Sequence, residues 1–237
     1  MMVDQCYALV PAAGNGSRMQ EKIPKQYLQL LDHPLIWYSL VSLLHPLIEH
    51  IYVILAPDDA HFFLMEGLVF SGRVTPLYCG GQSRSESVRN GLKYLSSTLH
   101  PSDFILVHDA ARPCLSPENL EQLIKQGRQN PEGAMLGLPV ADTIKRANSD
   151  GFVTNTVDRQ GLWIAQTPQM FQYGLLSRAY EQATLRETDE SQVMEAAGYP
   201  VKLVPGSVEN LKVTWPNDLN IARFIIGARD VSHRPRV

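Results

Sequence analysis

Short apolar runs alternate with segments of helical spacing along this chain, and this alternation limits the folds that it can adopt. Residues 6–10, 51–55 and 104–107 are continuous apolar runs, as is typical of strands that are covered on both faces. Residues 83–96, between the last two runs, carry apolar side chains at helical spacing. The repeated order of strand and helix predicts an α/β fold, with a parallel sheet and helices on both of its faces.

The same patterns set the bounds of the other predicted elements. Ser83 and Glu86 are expected to form a capping box, Ser116 is expected to cap the helix that follows it, and Pro34 suits the first turn of another helix. The remaining predicted helices are 35–44, 58–66, 117–129, 174–184, 189–197 and one from Asn217, and the remaining predicted strands are 74–79, 134–140, 201–204 and a short segment at 210–214.

Composition narrows the class of protein. The chain has 237 residues, of which 44% are hydrophobic and 19% charged, and this favours a single domain over residues 1–237 with an extension. A net charge of −3 argues against a nucleic-acid partner, because nucleic-acid-binding surfaces carry a basic excess. No membrane span is expected, since no apolar run approaches the ~20 residues that cross a bilayer. No signal peptide is expected either, because the N-terminus has Asp4 and no basic region before an apolar stretch. Three widely spaced cysteines favour a reduced, cytoplasmic setting without a disulfide framework or zinc site.

A polar excursion interrupts the regular pattern between about residues 141 and 163. The segment around Ile144 and residues 153–157 are placed to pair with each other across Ser149-Asp150-Gly151. We therefore predict a hairpin. An excursion of this size from a compact fold is often functional or oligomeric.

A glycine loop follows the first predicted strand. Gly14-Asn15-Gly16 lacks the third glycine of the dinucleotide fingerprint and the Gly-Lys-Ser/Thr of a P-loop. What remains is a loop with exposed backbone N–H groups, followed by the cations Arg18 and Lys25, and this arrangement suits a polyphosphate. A tight turn with two solvated cations is the alternative interpretation.

Two further loops follow predicted strands. Asp109, directly after the run 104–107, could hold Mg²⁺ on a triphosphate or could only cap a turn. Gly80-Gly81 leads into a helix N-terminus that suits a base or ribose, although an ordinary capped helix is an equally good interpretation. Because ligands of such sheets bind beyond the carboxyl ends of the strands, these loops are predicted to meet in one cleft. Lys212 and Arg159 stand alone in polar surroundings, and by spacing each would be assigned to the surface.

Seven short motifs occur together in the order of a known family. They are Pro-Ala-Ala-Gly-x-Gly-x-Arg-Met, Pro-Lys-Gln-Tyr, Gly-Gly-x-x-Arg-x-x-Ser-Val, His-Asp-Ala-Ala-Arg-Pro, Thr-Val-Asp-Arg, Gln-Thr-Pro-Gln and Asn-x-Lys-Val-Thr. Over about residues 8–224 the chain resembles the 2-C-methyl-D-erythritol 4-phosphate cytidylyltransferases of the non-mevalonate isoprenoid pathway. Gln82 departs from the pattern, since relatives often carry Asp there.

The resemblance implies a reaction and an architecture. The reaction is that of CTP with 2-C-methyl-D-erythritol 4-phosphate, which gives 4-diphosphocytidyl-2-C-methyl-D-erythritol and pyrophosphate with Mg²⁺ as cofactor, and Asp109 is the candidate metal ligand. The architecture is a mostly parallel, twisted, Rossmann-like nucleotidyltransferase sheet with helices on both faces. The polar excursion corresponds to a β-arm that embraces a second subunit of a homodimer.

The resemblance also implies roles for individual residues. Arg18 and Lys25 match cations on the triphosphate and the transition state, while Arg159 and Lys212 match those that position the methylerythritol phosphate. Arg159 and Thr143 would serve the active site of the partner subunit. Further contacts to the phosphate substrate match Arg112, Thr143 and Thr167. The cytidine pocket matches Ala12, Ala13, Gly14, Gly81, Ser87 and Ala110.

The chemistry fits that reaction without a general base. A phosphate monoester has a second pKa of about 6 and is mostly ionised at neutral pH, so cations that offset anion repulsion are needed more than a base. Two alternatives stay open: a sister cytidylyltransferase acting on a pentitol phosphate such as ribitol 5-phosphate, and a non-catalytic nucleotide-binding module.

Overall fold

The computed structural model describes residues 4–14, 23–65, 72–184 and 187–232. Its strands are β1 (Cys6–Pro11), β2 (Gln29–Leu30), β3 (His33–Pro34), β4 (His50–Ile54), β5 (Val74–Leu77), β6 (Phe104–Val107), β7 (Ala134–Pro139), β8 (Ile144–Ala147), β9 (Val153–Val157), β10 (Trp163–Gln172) and β11 (Lys202–Pro205). Its α-helices are α1 (Leu35–Val41), α2 (Arg84–Tyr94), α3 (Pro117–Gln129), α4 (Tyr173–Gln182), α5 (Glu190–Ala196) and α6 (Pro216–Ser232). Within these ranges no helix has both the length and the apolar character needed to cross a bilayer.

Seven of the strands form one sheet, in the order β11-β7-β10-β6-β1-β4-β5. The central strand β1 lies parallel to both of its neighbours, with Leu9 opposite Tyr52 on β4 and Val107 on β6. β10 runs antiparallel to β6 and β7, whereas β4 and β5 are parallel, as are β7 and β11. Six strands therefore point one way and β10 points the other, which confirms the mostly parallel α/β prediction.

Helices cover both faces of this sheet. Successive side chains of a strand point to opposite faces, and β6 shows the result: Phe104 and Leu106 join the apolar cluster under α1 and α3, while Ile105 and Val107 join the cluster under α2, α4 and α5. All four residues are buried. Burial of each such side chain stabilises the fold by about 1.5–3 kcal/mol, so the two-sided apolar run explains why β6 is a central strand.

Most predicted elements are present with small changes at their ends. α3 and β6 have the predicted bounds, and Ser116 caps α3 by accepting a backbone N–H at 3.3 Å. Ser83 caps α2 in the same way, accepting the N–H of Glu86 at 3.0 Å. Only one of the two hydrogen bonds of the predicted capping box is present, because the Glu86 carboxylate accepts the N–H of Gln82 at 2.8 Å rather than that of Ser83.

Two predicted elements are wrong. The helix expected at 58–66 is only a 3-10 turn at Phe62–Met65, because the Asp59 carboxylate accepts the N–H groups of His61 and Phe62 and begins a turn instead. Glu66 lies outside the described residues. Residues 210–214 form no strand.

β10 was not predicted at all. Its apolar pattern is interrupted by Thr167-Pro168, a cis peptide, and proline is rarely found inside a central strand because it cannot donate to the ladder. The pairing of β10 with β7 shifts in register between Ala165 and Gln169. The irregular residues between them are therefore free of regular pairing. The α1 prediction needs a smaller correction, since Pro34 precedes the first turn as its cap residue.

The predicted hairpin is present as β8 and β9, a two-stranded sheet separate from the main one. Its turn is closed by Asn148, whose side-chain oxygen accepts the N–H groups of Asp150 and Phe152. Gly151 has a φ of +84°, a left-handed conformation that glycine adopts without strain. Most of the hairpin is exposed, so its side chains contribute little to the core of their own chain.

Candidate active site

Three loops meet beyond the carboxyl ends of β1, β5 and β6, as the sequence predicts. Together with two other segments they enclose a pocket of about 440 Å³. The pocket is lined by Pro11, Ala12, Ala13, Gly14, Lys25, Gln26, Gly81, Gln82, Ser83, Arg84, Ser87, Asp109, Ala110, Ala111 and Lys212. Nine of the predicted site residues are in this set, although Arg18, Asn15 and Gly16 lie outside the described residues.

The first two loops lie in direct contact. A Cβ on Gly80 would clash with the side chain of Ala13, in the loop after β1, and would come within 2.7 Å of the carbonyl oxygen of Leu55, which follows β4. Glycine at this position therefore allows the loop after β5 to lie against the loop after β1. Gln26 also holds the first loop, donating from its amide to the Ala12 carbonyl at 2.7 Å.

The loop after β5 leads into the N-terminus of α2. The N–H of Gly81 donates to Ser87 Oγ at 3.0 Å, and that hydroxyl donates in turn to the Ser83 carbonyl at 2.9 Å. These contacts hold Gly81, Ser83 and Ser87 together beside the first N–H groups of the helix. This segment presents backbone donors and carbonyl acceptors, the groups that recognise a base or ribose without a charged side chain.

Asp109 lines the pocket, and its carboxylate lies among three cations. Its Oδ1 accepts from Arg84 Nε at 2.9 Å, its Oδ2 lies 2.8 Å from Lys212 Nζ, and Arg112 Nε is 3.7 Å from Oδ2. Burial alone would raise the pKa of Asp109, but the charges of Arg84, Lys212 and Arg112 outweigh it and hold this pKa well below its ordinary range. Asp109 is therefore a carboxylate at any physiological pH.

A smaller pocket of about 130 Å³ shares part of this charged group. It is lined by Arg84, Asp109, Arg112, Ala165, Gln166, Thr167, Gln169, Thr188, Asp189 and Lys212. Arg84, Asp109 and Lys212 line both pockets. The charged group therefore forms the boundary between a larger, loop-built pocket and a smaller one that is rich in polar side chains.

Thr167 reaches the smaller pocket because β10 is antiparallel. Gln169 pairs with Val107, the last residue of β6, so Thr167 lies beyond the carboxyl end of that strand. Its Oγ1 accepts the N–H of Asp109 at 3.0 Å and lies 3.1 Å from Nδ1 of His108. The other nitrogen of His108 lies 3.1 Å from the Arg112 carbonyl. The imidazole therefore donates a hydrogen bond from Nε2, and its Nδ1 accepts a hydrogen bond from the Thr167 hydroxyl.

The two lysines lie on neighbouring parts of the larger pocket. Lys25 Nζ donates to the carbonyl of Val213 at 2.8 Å, and the N–H of Val213 donates to the Ala111 carbonyl at 2.8 Å. This chain of contacts joins the Pro-Lys-Gln segment, the Asn-x-Lys-Val-Thr segment and the loop after β6. Sequence spacing would assign Lys212 to the surface, and its ion pair with Asp109 corrects that interpretation.

Thr143 and Arg159 are not brought to either pocket. Both are exposed at the base of the hairpin, and the Arg159 guanidinium donates to the Ala141 carbonyl. Neither residue lines the pockets of its own chain.

A family model, IspD: 2-C-methyl-D-erythritol 4-phosphate cytidylyltransferase, matches residues 6–228. The chain belongs to this family. The match confirms the resemblance that the ordered motifs indicate.

Individual relatives agree with the family match. A 2-C-methyl-D-erythritol 4-phosphate cytidylyltransferase of Dechloromonas aromatica is 48% identical over 224 residues, which cover 94% of this chain and 98% of the relative. One of Aromatoleum aromaticum is 46% identical over 224 residues, covering 94% and 96%.

The fold agrees with solved structures of such proteins. A crystal structure of 4-diphosphocytidyl-2C-methyl-D-erythritol synthase matches with a TM-score of 0.84 at 39% identity, over 94% of this chain and 100% of that one. The cytidylyltransferase of Thermus thermophilus matches with a TM-score of 0.76 at 29% identity, over 93% and 98%.

The sequence interpretation missed Arg84, which belongs to the charged group, and Glu190, whose carboxylate accepts from Arg84 Nη1 at 2.7 Å. Arg84 stands inside the quoted Gly-Gly-x-x-Arg motif, so a signal was present, but no role was assigned to it. Glu190 opens α5 after the cap residue Asp189 and has no local signal, since a Glu in the first turn is ordinary helix chemistry. Its link to the site spans 106 residues of sequence, which no motif records.

Metal-binding capacity is limited in the part of the chain that the structure describes. No group of three or more His, Cys, Asp or Glu side chains is placed to hold an ion there. Asp109 is the only carboxylate among the described residues that line the larger pocket. A single carboxylate fits Mg²⁺ that arrives with a triphosphate, because such Mg²⁺ is bound by one or two carboxylates together with phosphate oxygens and water.

Proposed function

We propose that this chain transfers the cytidylyl group of CTP to 2-C-methyl-D-erythritol 4-phosphate and releases pyrophosphate. The observation that carries the proposal is the charged group of Arg84, Asp109 and Lys212, which lies between the loop-built pocket and the smaller polar pocket. A transferase needs its two substrates to meet at one reacting atom. The family match favours this acceptor over a pentitol phosphate such as ribitol 5-phosphate.

The larger pocket is assigned to CTP. Its small residues leave room for a nucleotide against the backbone, and the Gly81 loop with Ser87 supplies uncharged hydrogen-bonding groups. The cytidine pocket would consist of Ala12, Ala13, Gly14, Gly81, Ser87 and Ala110. Lys25, on the same pocket, would offset the charge of the triphosphate together with Arg18.

The smaller pocket is assigned to the phosphate substrate. Thr167 is already engaged as a donor to His108 and as an acceptor from the Asp109 N–H, so one lone pair of its hydroxyl remains. It would accept a hydrogen bond from a substrate hydroxyl. Arg112 donates from Nη1 to the Asn210 carbonyl at 2.6 Å, which fixes its guanidinium beside the pocket, and Lys212 would attract the substrate phosphate.

The residues present suit electrostatic catalysis rather than general-base catalysis. Among the described residues, no histidine lines either pocket. His108, next to Asp109 in the sequence, is buried; burial lowers its pKa to about 4, and both of its ring nitrogens are occupied. It is therefore unsuited to remove a proton. The acceptor is mostly ionised already, so the work left to the protein is to hold two anions together. Lys25, Arg18, Lys212 and Arg159 would do this by fixed positive charge.

Asp109 would hold Mg²⁺ at the boundary of the two pockets. The bound ion would supply further positive charge to the phosphate oxygens of CTP. Each carboxylate oxygen has two lone pairs, so Asp109 can keep its contact with Arg84 while it serves as a ligand.

We also propose that the chain is one nucleotidyltransferase domain that acts as a homodimer in the cytoplasm. The hairpin and the β10 strand that leaves it expose large apolar side chains, including Phe152 at 72% and Ile164 at 56% exposure, and such patches mark interfaces. Thr143 and Arg159 lie on this arm and would complete the partner's site. The three cysteines are all unpaired, as expected in a reducing compartment.

Mixed dimers test whether the site is shared between subunits. Lys25→Ala and Arg159→Ala are each expected to be nearly inactive alone. When the two are unfolded together and refolded, each mixed dimer contains one site with both native residues, so pyrophosphate release should reappear. If the mixture stays as inactive as its parents, Arg159 does not act in the partner's site.

The reaction itself is tested with purified protein, Mg²⁺ and CTP. We expect pyrophosphate release with 2-C-methyl-D-erythritol 4-phosphate and much less with ribitol 5-phosphate. The reverse preference would favour the pentitol-phosphate reaction. CTP binding without release with either acceptor would instead indicate a nucleotide-binding module.

A further inference from the structure

Glu190 is a fully buried carboxylate that lines neither pocket. Its relative exposure is 0%, and it accepts from Arg84 Nη1 at 2.7 Å and from Nη2 at 3.0 Å. The hydroxyl of Tyr180 donates to it at 3.1 Å. A buried carboxylate is costly unless such partners satisfy it, so Glu190 and Arg84 must be placed together.

Arg84 uses its third nitrogen for a different carboxylate. Its Nε donates to Asp109 Oδ1 at 2.9 Å, while Asp109 Oδ2 lies 2.8 Å from Lys212 Nζ. A rigid guanidinium thus joins the N-terminus of α5 to the loop after β6. The contacts run in one line from Glu190 through Arg84 and Asp109 to Lys212.

We infer that Glu190 is a positioning residue, which acts through Arg84 to fix Asp109 and Lys212 where the two pockets meet. This inference rests on the proposed cytidylyl transfer. Without the Glu190 carboxylate, Nη1 and Nη2 of Arg84 lose their charged acceptor, and the guanidinium is free to turn. Asp109 then loses its fixed orientation, and Lys212 is no longer held against a defined oxygen.

A purely structural role for Glu190, in which it only joins α5 to α2, would need only its bidentate contact with Arg84. The further contact of Arg84 with Asp109 is what distinguishes a positioning role from this structural role. Arg84 and Asp109 both line the two pockets, so the line of contacts ends at the reacting groups. The proposed cytidine pocket is held by separate contacts, such as the hydrogen bond from the Gly81 N–H to Ser87 Oγ at 3.0 Å. Loss of Glu190 should therefore affect turnover more than CTP binding.

The first test is Glu190→Gln, which keeps the size of the side chain and removes its charge. We expect kcat to fall on the order of 10- to 100-fold, since small misplacements of reacting groups have effects of this size. The KM for CTP, and CTP affinity by calorimetry, should stay close to the wild-type values. All rates are measured well below the thermal transition of each variant.

A matched control is Asp103→Asn. Asp103 is also a buried carboxylate, but it lies at the amino end of β6, where it accepts the N–H groups of Gln5 at 2.9 Å and His100 at 2.8 Å. This variant should lower the melting temperature and leave kcat unchanged. If Glu190→Gln behaves in the same way, losing stability but not kcat, Glu190 is a structural tie and the inference is wrong.

Arg84→Lys keeps the test decisive if Glu190→Gln folds poorly. Lysine keeps the charge, but a single ammonium group cannot make the three contacts of a guanidinium. We expect a loss of kcat similar to that of Glu190→Gln, and a double variant no worse than either single one, because one line of contacts is broken in each. Multiplied losses in the double variant would contradict the inference. Wild-type protein in the same assay separates the two proposals, since a wild type that releases no pyrophosphate overturns the proposed reaction itself.

Discussion

The two sides of the candidate site are built in different ways. The nucleotide side consists of short loops, in which Gly80 lies against Leu55 and the Gly81 N–H donates to Ser87 Oγ. The charged side is built from long side chains of distant segments, with Arg84, Asp109, Glu190 and Lys212 in one line. The first depends on backbone shape and the second on charges held by tertiary contacts. Substitutions on the two sides should therefore separate nucleotide binding from turnover.

The largest effect on kcat is expected from a substitution on the charged side, Lys212→Ala. Its loss removes a fixed cation 2.8 Å from Asp109, and removal of one such transition-state contact lowers kcat on the order of 100-fold or more. Lys25→Ala should likewise act mainly on kcat. Steady-state kinetics with both substrates would check this, with Lys93→Ala as the control, since Lys93 is exposed near the end of α2. An unchanged kcat would remove the substituted lysine from the catalytic set.

A smaller effect is expected on the nucleotide side, from Gly80→Ala. The new Cβ would clash with Ala13 and meet the Leu55 carbonyl oxygen at 2.7 Å. The loop after β5 must then move away from the residues that follow β1 and β4, at a cost in stability of about 1–3 kcal/mol. The KM for CTP should rise while kcat at saturation changes little. Gly227→Ala is the matched control, because a Cβ there meets nothing within 4 Å on α6. That change should stabilise the protein by up to about 1 kcal/mol.

These two sides also differ in how far the sequence predicts them. The loops that follow β1, β5 and β6 are local features, and the meeting of strand ends in a parallel sheet follows from the strand–helix order. The charged line is not local. Glu190 lies 106 residues from Arg84, and Lys212 reaches Asp109 from a segment without regular structure, so only the assembled fold, or a family resemblance, brings them together.

β10 shows a second physical limit of the sequence interpretation. Thr167-Pro168 breaks its apolar pattern, and its direction opposes the parallel order that the rest of the chain predicts. That irregular strand is nevertheless what places Thr167 beside Asp109. The departures from regular pattern are thus concentrated at the site, where irregular backbone is needed to present side chains.

The smallest effect compares two helix caps. Ser83→Ala and Ser116→Ala each remove a side-chain contact to a helix N–H, at 3.0 Å in α2 and 3.3 Å in α3. Each should lower stability by about 1 kcal/mol, measured by denaturant unfolding. Only Ser83 lines the larger pocket, so only its substitution should raise the KM for CTP. Equal KM values in the two variants would place the cap of α2 outside the nucleotide site.

If the cytidylyl group of CTP is the group transferred, the α-phosphate of CTP must follow it into the product. The measurement uses CTP labelled at the α-phosphate in one sample and at the γ-phosphate in another, each with Mg²⁺ and 2-C-methyl-D-erythritol 4-phosphate. Cytidylyl transfer moves the α-label into the diphosphocytidyl product and the γ-label into pyrophosphate, in equal amounts. Release of the γ-label as inorganic phosphate, with the α-label left in CDP, would contradict it.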